Sequence, residues 1–273
     1  MVEVREILRE AGRLRWRIGR PIEGILIGAY RSVWRGEGIE FADARPYEPG
    51  EPWRRIHWAL SARRGQPYVW LGTEERQLTC CIALDLSASM RVYPEKFRQA
   101  AIAGAIIALT AMKAGDRVEW LGFTSKVVFS APPRRGESFV WGAFQELLRG
   151  QPSEGRTRLG PLLEFYAHLH RRRGLLVLLT DGFWQDGPEA LRSLRATAQK
   201  HLVLTLYVRH PREAMRIPFG RLPYREVETG FSGVAGGSLE PPAFPQASLR
   251  QALLPTNANT WEVLARVLSM APL

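Results

Sequence analysis

The sequence predicts an α/β protein: a doubly wound, mainly parallel sheet preceded by a small N-terminal β-rich subdomain. Three observations point there. Between residues 78 and 208, short apolar runs alternate with longer amphipathic ones, as β/α units do. Two short runs, "TCCIALD" (79–85) and "LLVLLTDG" (175–182), are apolar on both faces, as central strands covered by helices are. Upstream, residues 21–77 are rich in Gly, Pro, Trp and Arg, with short alternating stretches such as "GIEFADARPYEPG".

In chain order, residues 1–20 read as a basic N-terminal helix and 21–77 as the β-rich subdomain. The larger domain runs from 78 to 273 and opens with the strand "TCCIALD". "PEKFRQAAIAGAIIALTAMKAG" follows as a helix, with Pro94 in the tolerated first turn and Gly115 at the stop. "DRVEWLGFTS" and "KVVFSAPP" read as two strands joined by a tight turn, and "ESFVWGAFQELLRG" as a second helix. A third helix, "RLGPLLEFYAHLHRRRG", is expected to close on its basic last turn and Gly174. The strand "LLVLLTDG", the helix "PEALRSLRATAQK" and the strand "HLVLTLYVRH" complete the alternating part. Residues 209–257 read as an irregular Pro/Gly-rich strand-and-loop cover, and "NTWEVLARVLSM" as a C-terminal helix.

Composition narrows the function classes. At 45% hydrophobic and 24% charged residues, the 273-residue chain is able to bury a core. No apolar run approaches the ~20 residues that cross a bilayer, and "MVEVREILREAGRLRWRIGR" lacks the apolar centre of a signal peptide. The expected location is the cytoplasm. Cys80 and Cys81 are adjacent in an apolar strand, which suits core packing rather than a disulfide or metal cluster. Net charge is +11, and only four of the 38 basic residues are Lys (96, 113, 126 and 200). Asp is scarce, with five in the chain: Asp43, Asp85, Asp116, Asp181 and Asp186.

The chemistry gathers at strand ends. In an open parallel sheet, ligands bind beyond the carboxyl ends of the strands, where the strand order reverses. Asp85 and Asp181 both end apolar strands, and Ser87 and Ser89 follow Asp85 at every second position. The loop "GQPSEGRTRLGP" adds Thr157 before the third helix. Two carboxylates and three hydroxyls are hard oxygen donors, suited to Mg²⁺, with Mn²⁺ as the alternative. Asp85-Leu86-Ser87-Ala88-Ser89 and Thr180-Asp181-Gly182 together resemble the metal-ion-dependent adhesion site of von Willebrand factor A domains. The resemblance implies that Asp85, Ser87, Ser89 and Thr157 ligate the ion directly or through water, and that Asp181 holds a coordinated water. It also implies that an acidic side chain of a partner completes the coordination.

The upstream segment carries a second resemblance. Gly36-Glu37-Gly38, Glu40-Phe41, Arg45-Pro46-Tyr47, Pro49-Gly50, Arg55-Ile56, Trp58 and Ala62-Arg63 closely resemble the signature of the bacterial domain of unknown function 58 family. "VETG" (227–230) fits that family's usual ending. Glu51, His57 and His210-Pro211 depart from it, where Asp, Asp and Asp-Pro are common. Glu40, Asp43, Arg45, Tyr47, Arg55, Trp58 and Arg63 read either as a network joining the subdomain to the larger domain or as a partner-facing surface.

No Gly-x-x-x-x-Gly-Lys loop, Gly-x-Ser-x-Gly elbow or His-rich metal motif is present, so no enzyme is expected. His168 and His170 read as surface residues of the third helix, and His57 as structural. The resemblance implies a metal-dependent protein–protein interaction module. Its implied partner is a MoxR-type AAA+ ATPase, or that ATPase's client, in the assembly or maturation of other proteins. The alternative is an Arg-rich protein that binds nucleic acid or anionic surfaces. Aromatic residues such as Trp16, Trp34, Trp53, Trp58 and Trp70 would serve it as stacking platforms.

Overall fold

The computed structural model describes residues 5–10, 44–49, 51–53, 56–70, 78–150, 157–213, 222–225, 232–235 and 249–269. Its centre is the run Thr79–Asp85, strand β3, buried on both faces except at its first residue. A strand this apolar needs a helix layer on each side, and it has both. Cys80, Ile82 and Leu84 point into one core cluster, and Cys81 and Ala83 into another. Both cysteines are wholly buried and unbonded to each other, as core packing requires.

Among the described residues, the sheet has six strands in the order β10-β7-β6-β3-β4-β5. Strands β4 (Arg117–Phe123), β6 (Leu175–Thr180), β7 (Leu202–Arg209) and β10 (Leu249–Pro255) run parallel to their neighbours on the β3 side. Strand β5 (Val127–Arg134) turns back antiparallel to β4 at the edge. Its side chains alternate between half-buried and exposed, and it carries Pro132 and Pro133, which an edge strand tolerates and a central one does not. From β3 the chain moves to β4 and β5 on one side, then crosses to β6, β7 and β10 on the other. The order therefore reverses between β3 and β6, and a crevice opens there at the carboxyl ends.

Helix α2 (Pro94–Lys113) packs on one face with α3 (Glu137–Arg149) and α6 (Thr260–Ser269). Helices α4 (Gly160–Leu169) and α5 (Gly187–Lys200) cover the other. This is the doubly wound α/β architecture that the alternating pattern predicts. Helix α2 lies close to the sheet because it has a glycine at the crossing. A Cβ on Gly104 would stand 3.1 Å from Leu179 Cδ1 and 3.2 Å from Trp120 Cζ3. Residues 5–10 are helical, and Ile7 is wholly buried in the core on the α2 face. Arg98 of α2 pairs with Glu6 at 3.0 Å and Glu10 at 2.7 Å, which fastens this helix to α2.

Ahead of β3, strands β1 (Ala44–Pro46) and β2 (Tyr68–Trp70) pair antiparallel. Between them lies helix α1 (Trp58–Arg64), which the reading of 21–77 as β-rich does not foresee. His57 caps it, accepting the Leu60 amide at Nδ1 over 3.2 Å, a structural role as expected.

Three expectations need correction. The third helix does not reach Gly174: α4 ends at Leu169, and His170 is extended. Its ring turns inward to Glu119 of β4, with Nε2 2.7 Å from Oε2, so His170 is not a surface residue. Segment 209–257 is not only an irregular cover, since β10 is a full parallel strand hydrogen-bonded to β7 over seven residue pairs. Arg250 and Gln251 interrupt its apolar pattern, which an edge position permits. Within the same segment, β8 (Leu222–Arg225) and β9 (Ser232–Ala235) form a separate antiparallel pair.

Candidate metal centre

Asp85 is the last residue of β3, and Asp181 directly follows β6, the next strand. Parallel pairing at Leu84↔Leu179 places Asp85 beside Thr180. Both aspartates, Ser87, Thr157 and Thr180 are fully buried. Each sits where the backbone leaves regular structure and local bonds hold it. The Ser87 amide donates to Asp85 Oδ1 at 2.9 Å, and the Thr180 hydroxyl donates to Asp85 Oδ2 at 2.7 Å. The Ser87 and Ser89 hydroxyls lie 3.0 Å apart. Ser89 opens the single 3-10 turn Ser89–Arg91 that leads into α2.

The Thr157 backbone is pinned on both sides of the crevice. Its carbonyl accepts the Gln185 amide at 3.0 Å, and the next amide, of Arg158, donates to the Thr124 carbonyl at 3.0 Å. Asp186 then fixes the start of α4, accepting the Leu159 and Gly160 amides at 3.1 and 2.6 Å. The β3–α2 loop, the segment before α4 and the β6–α5 loop thus meet around the two carboxylates.

Asp181 faces a cation already in the protein. Lys96 Nζ, in the first turn of α2, lies 2.8 Å from Asp181 Oδ2, 2.8 Å from Glu213 Oε1 and 3.1 Å from the Ser89 carbonyl. Asp181 Oδ1 accepts the Phe183 amide at 3.3 Å. Arg209, at the end of β7, stacks its guanidinium 4.2 Å from the centre of the Phe183 ring. Among the described residues, its Nε and Nη1 are buried without a hydrogen-bond partner.

Among the described residues, no cation is paired with Asp85. Burial, and then the neighbouring charge of Asp181, push its carboxyl up to about 7, against the opposing pull of bonds from Ser87 and Thr180. A buried carboxylate pair with one side uncompensated, edged by hydroxyls, is a hard-oxygen site still short of positive charge. That donor set fits Mg²⁺ or Mn²⁺. Among the described residues, His, Cys, Asp and Glu alone do not assemble a metal-ligating group. The serine and threonine hydroxyls are therefore what would complete the coordination.

Of the five residues expected to hold a metal, Asp85, Ser87, Ser89 and Asp181 share one rim, and the backbone at Thr157 is bonded to the loops beside it. The second set is divided. Glu40, Asp43 and Arg55 lie outside the described residues, as does Phe41, and of Arg45 only the backbone, in β1, is described. Tyr47 donates its hydroxyl to the Glu51 carbonyl at 3.3 Å. Trp58 is 67% exposed and Arg63 is exposed, both on α1. Sequence reasoning gave no role to Lys96, Asp186 or Glu213, and it quoted Thr180 only as part of the Thr-Asp-Gly run. Lys96 and Asp186 carried a signal in their rarity, as one of four Lys and one of five Asp.

Comparison with known proteins places the chain among relatives. It is 28% identical over 219 residues to uncharacterized protein Rv1480 of Mycobacterium tuberculosis and to uncharacterized protein Mb1516 of Mycobacterium bovis. Each alignment covers 78% of this chain and 68% of the relative. Among solved structures it is similar to the conserved hypothetical protein BatB from Bacteroides thetaiotaomicron, at 17% identity and a TM-score of 0.43, covering 70% of this chain and 97% of that one. It is also similar to a von Willebrand factor type A protein from Catenulispora acidiphila, at 16% identity and a TM-score of 0.45, covering 71% and 42%. Residues 43–232 match the family described as "Protein of unknown function DUF58". That span is more than half of the chain, which therefore belongs to the DUF58 family.

Proposed function

We propose that the protein is a non-enzymatic, cytoplasmic interaction module that binds an acidic side chain of a protein partner at the rim between β3 and β6 through a divalent cation. The observation that carries this reading is that Asp85, Ser87, Thr157 and Asp181 are fully buried just beyond the strands, with the half-buried Ser89 hydroxyl 3.0 Å from that of Ser87. Asp85, Ser87, Ser89 and Thr157 would hold Mg²⁺ or Mn²⁺, and Asp181 would orient a water on it. When bound, the ion supplies a position that accepts a carboxylate oxygen, giving a reversible contact that depends on the metal. The chain's own residues keep the donors dry and aligned, with Thr180 and the Ser87 amide holding Asp85. The proposed partner is a MoxR-type AAA+ ATPase or the protein on which that ATPase acts.

The test is binding of the purified chain to the MoxR-type ATPase of its own genome, in Mg²⁺, in EDTA, and with Asp85→Ala. Retention by the unaltered chain in Mg²⁺ alone supports the reading. Binding of the ATPase or of nucleic acid in all three conditions, removed by salt, would transfer the function to the arginine-rich surface.

A further inference from the structure

Lys96 has no exposed surface. An ammonium carries three donors and is costly to strip of water unless each finds an acceptor. Here each does: Asp181 Oδ2, Glu213 Oε1 and the Ser89 carbonyl. The three acceptors are not a random set. Ser89 and Asp181 belong to the rim that would hold the metal, and Glu213 closes the 3-10 turn Pro211–Glu213 just after β7. That turn is itself braced, since Glu213 Oε2 accepts the His210 amide at 3.0 Å and the His210 ring stacks on Tyr93 at 4.0 Å. Lys96 therefore ties the start of α2, the end of β6 and the exit from β7 with one charge.

We propose that Lys96 is a tethered counter-cation that holds this rim assembled without a metal and sets its affinity for a divalent cation by competing for Asp181. The proposal rests on the metal-binding reading above. A dication held by Asp85 and the hydroxyls draws on the same carboxylate that Lys96 neutralises, and like charges this close repel strongly in a buried site. Glu213 is the second anchor: it keeps the ammonium paired while Asp181 turns toward the ion. Removing the ammonium and removing Glu213 should then move affinity in opposite directions. Without Lys96 the rim gains a full negative charge. Without Glu213 it loses one, and Asp181 is left as the one carboxylate bonded to the ammonium, beside the Ser89 carbonyl.

The experiment is a Mn²⁺ titration of the full chain at constant ionic strength, with free Mn²⁺ counted by electron paramagnetic resonance. Thermal melts in Mn²⁺ and in EDTA accompany it. The chains are the unaltered protein, Lys96→Met, Glu213→Gln and Asp85→Ala. Lys96→Met should bind at least tenfold more tightly, and Mn²⁺ should raise its melting temperature by more than it raises that of the unaltered chain. Glu213→Gln should bind at least threefold more weakly, and Asp85→Ala should lose binding. Equal affinity of the unaltered chain and Lys96→Met, both abolished by Asp85→Ala, overturns the competition and leaves the metal site standing. If no chain binds Mn²⁺, the metal reading and this proposal fall together. Should Lys96→Met fail to fold, unchanged or tighter binding by the partly exposed Glu213→Gln overturns the proposal by itself.

Discussion

The Thr180 hydroxyl donates to Asp85 Oδ2 at 2.7 Å, joining the last residue of β6 to the last residue of β3. The bond follows from register, since Leu84 pairs with Leu179 and the next residue on each strand stands at the lip of the same crevice. With the Ser87 amide on the other oxygen, Asp85 is held in one orientation inside a dry rim. Such a carboxylate is ready for a cation, and without one its charge is a burden on the fold.

That burden has a sign that pH reveals. The Asp85 carboxyl is pushed from its ordinary 3.8 up to about 7, so the folded protein keeps a proton that the unfolded chain releases. Stability without divalent cation should fall as pH rises from about 4 to about 7 and stay reduced above. Asp85→Asn removes the charge and keeps the shape. In EDTA at pH 8 it should be more stable than the unaltered chain by roughly 1–3 kcal/mol, and at pH 4 it should show no gain. Urea unfolding at the two pH values checks this, and an equal difference at both would exclude the charge as its cause.

How far this rim was readable depends on which residues sit in regular patterns. Asp85 and Asp181 stand out because each ends a run of buried apolar residues, and the alternation of elements placed both at one end of the sheet. Ser87 and Ser89 follow from spacing. Lys96 did not stand out, because a lysine in the first turn of an amphipathic helix reads as solvated, and its burial depends on Glu213, 117 residues further along. His170 was misread for a similar reason, since its partner Glu119 lies on a strand 51 residues away. Strand β10 was hidden by the polar residues that an edge strand tolerates. Local pattern reports faces and ends of elements, whereas pairings across the fold appear only once the sheet order is known.

Gly182 shows the same rim from the backbone side. Its φ of 81° lies in the left-handed region, and a Cβ there would come within 2.8 Å of Tyr207 Cδ1 and 2.9 Å of Cε1. Its amide also donates to Thr180 Oγ1 at 3.1 Å, so displacing it disturbs the residue that holds Asp85. Gly182→Ala should destabilise by about 2–4 kcal/mol, combining strain and overpacking. Gly187, with a φ of 38° and open space around its Cβ position, serves as the control, and Gly187→Ala should cost about 1 kcal/mol or less. Similar losses for the two variants, read from chemical denaturation, would show that the Tyr207 contact does not matter.

At the opposite end of the sheet, His201 gives the fold an acid-sensitive point independent of any metal. It is 3% exposed; its Nδ1 accepts the Gly174 amide at 3.3 Å, and its ring meets Tyr166 edge-on at 4.9 Å. Burial, then the charges of His170, Lys200 and Arg173, push it down from 6.5 to about 4, so the ring stays neutral in the folded protein. The unfolded chain takes up the proton first. The stability that His201 contributes is therefore complete above about pH 6.5 and is lost as pH falls toward 4, amounting to about 3 kcal/mol over that window. His201→Asn retains an acceptor for Gly174 and cannot titrate. Between pH 7 and pH 4.5 the unaltered chain should lose most of that 3 kcal/mol relative to His201→Asn, measured by urea unfolding in EDTA. If the two lose stability in parallel, His201 is not the source of the acid sensitivity.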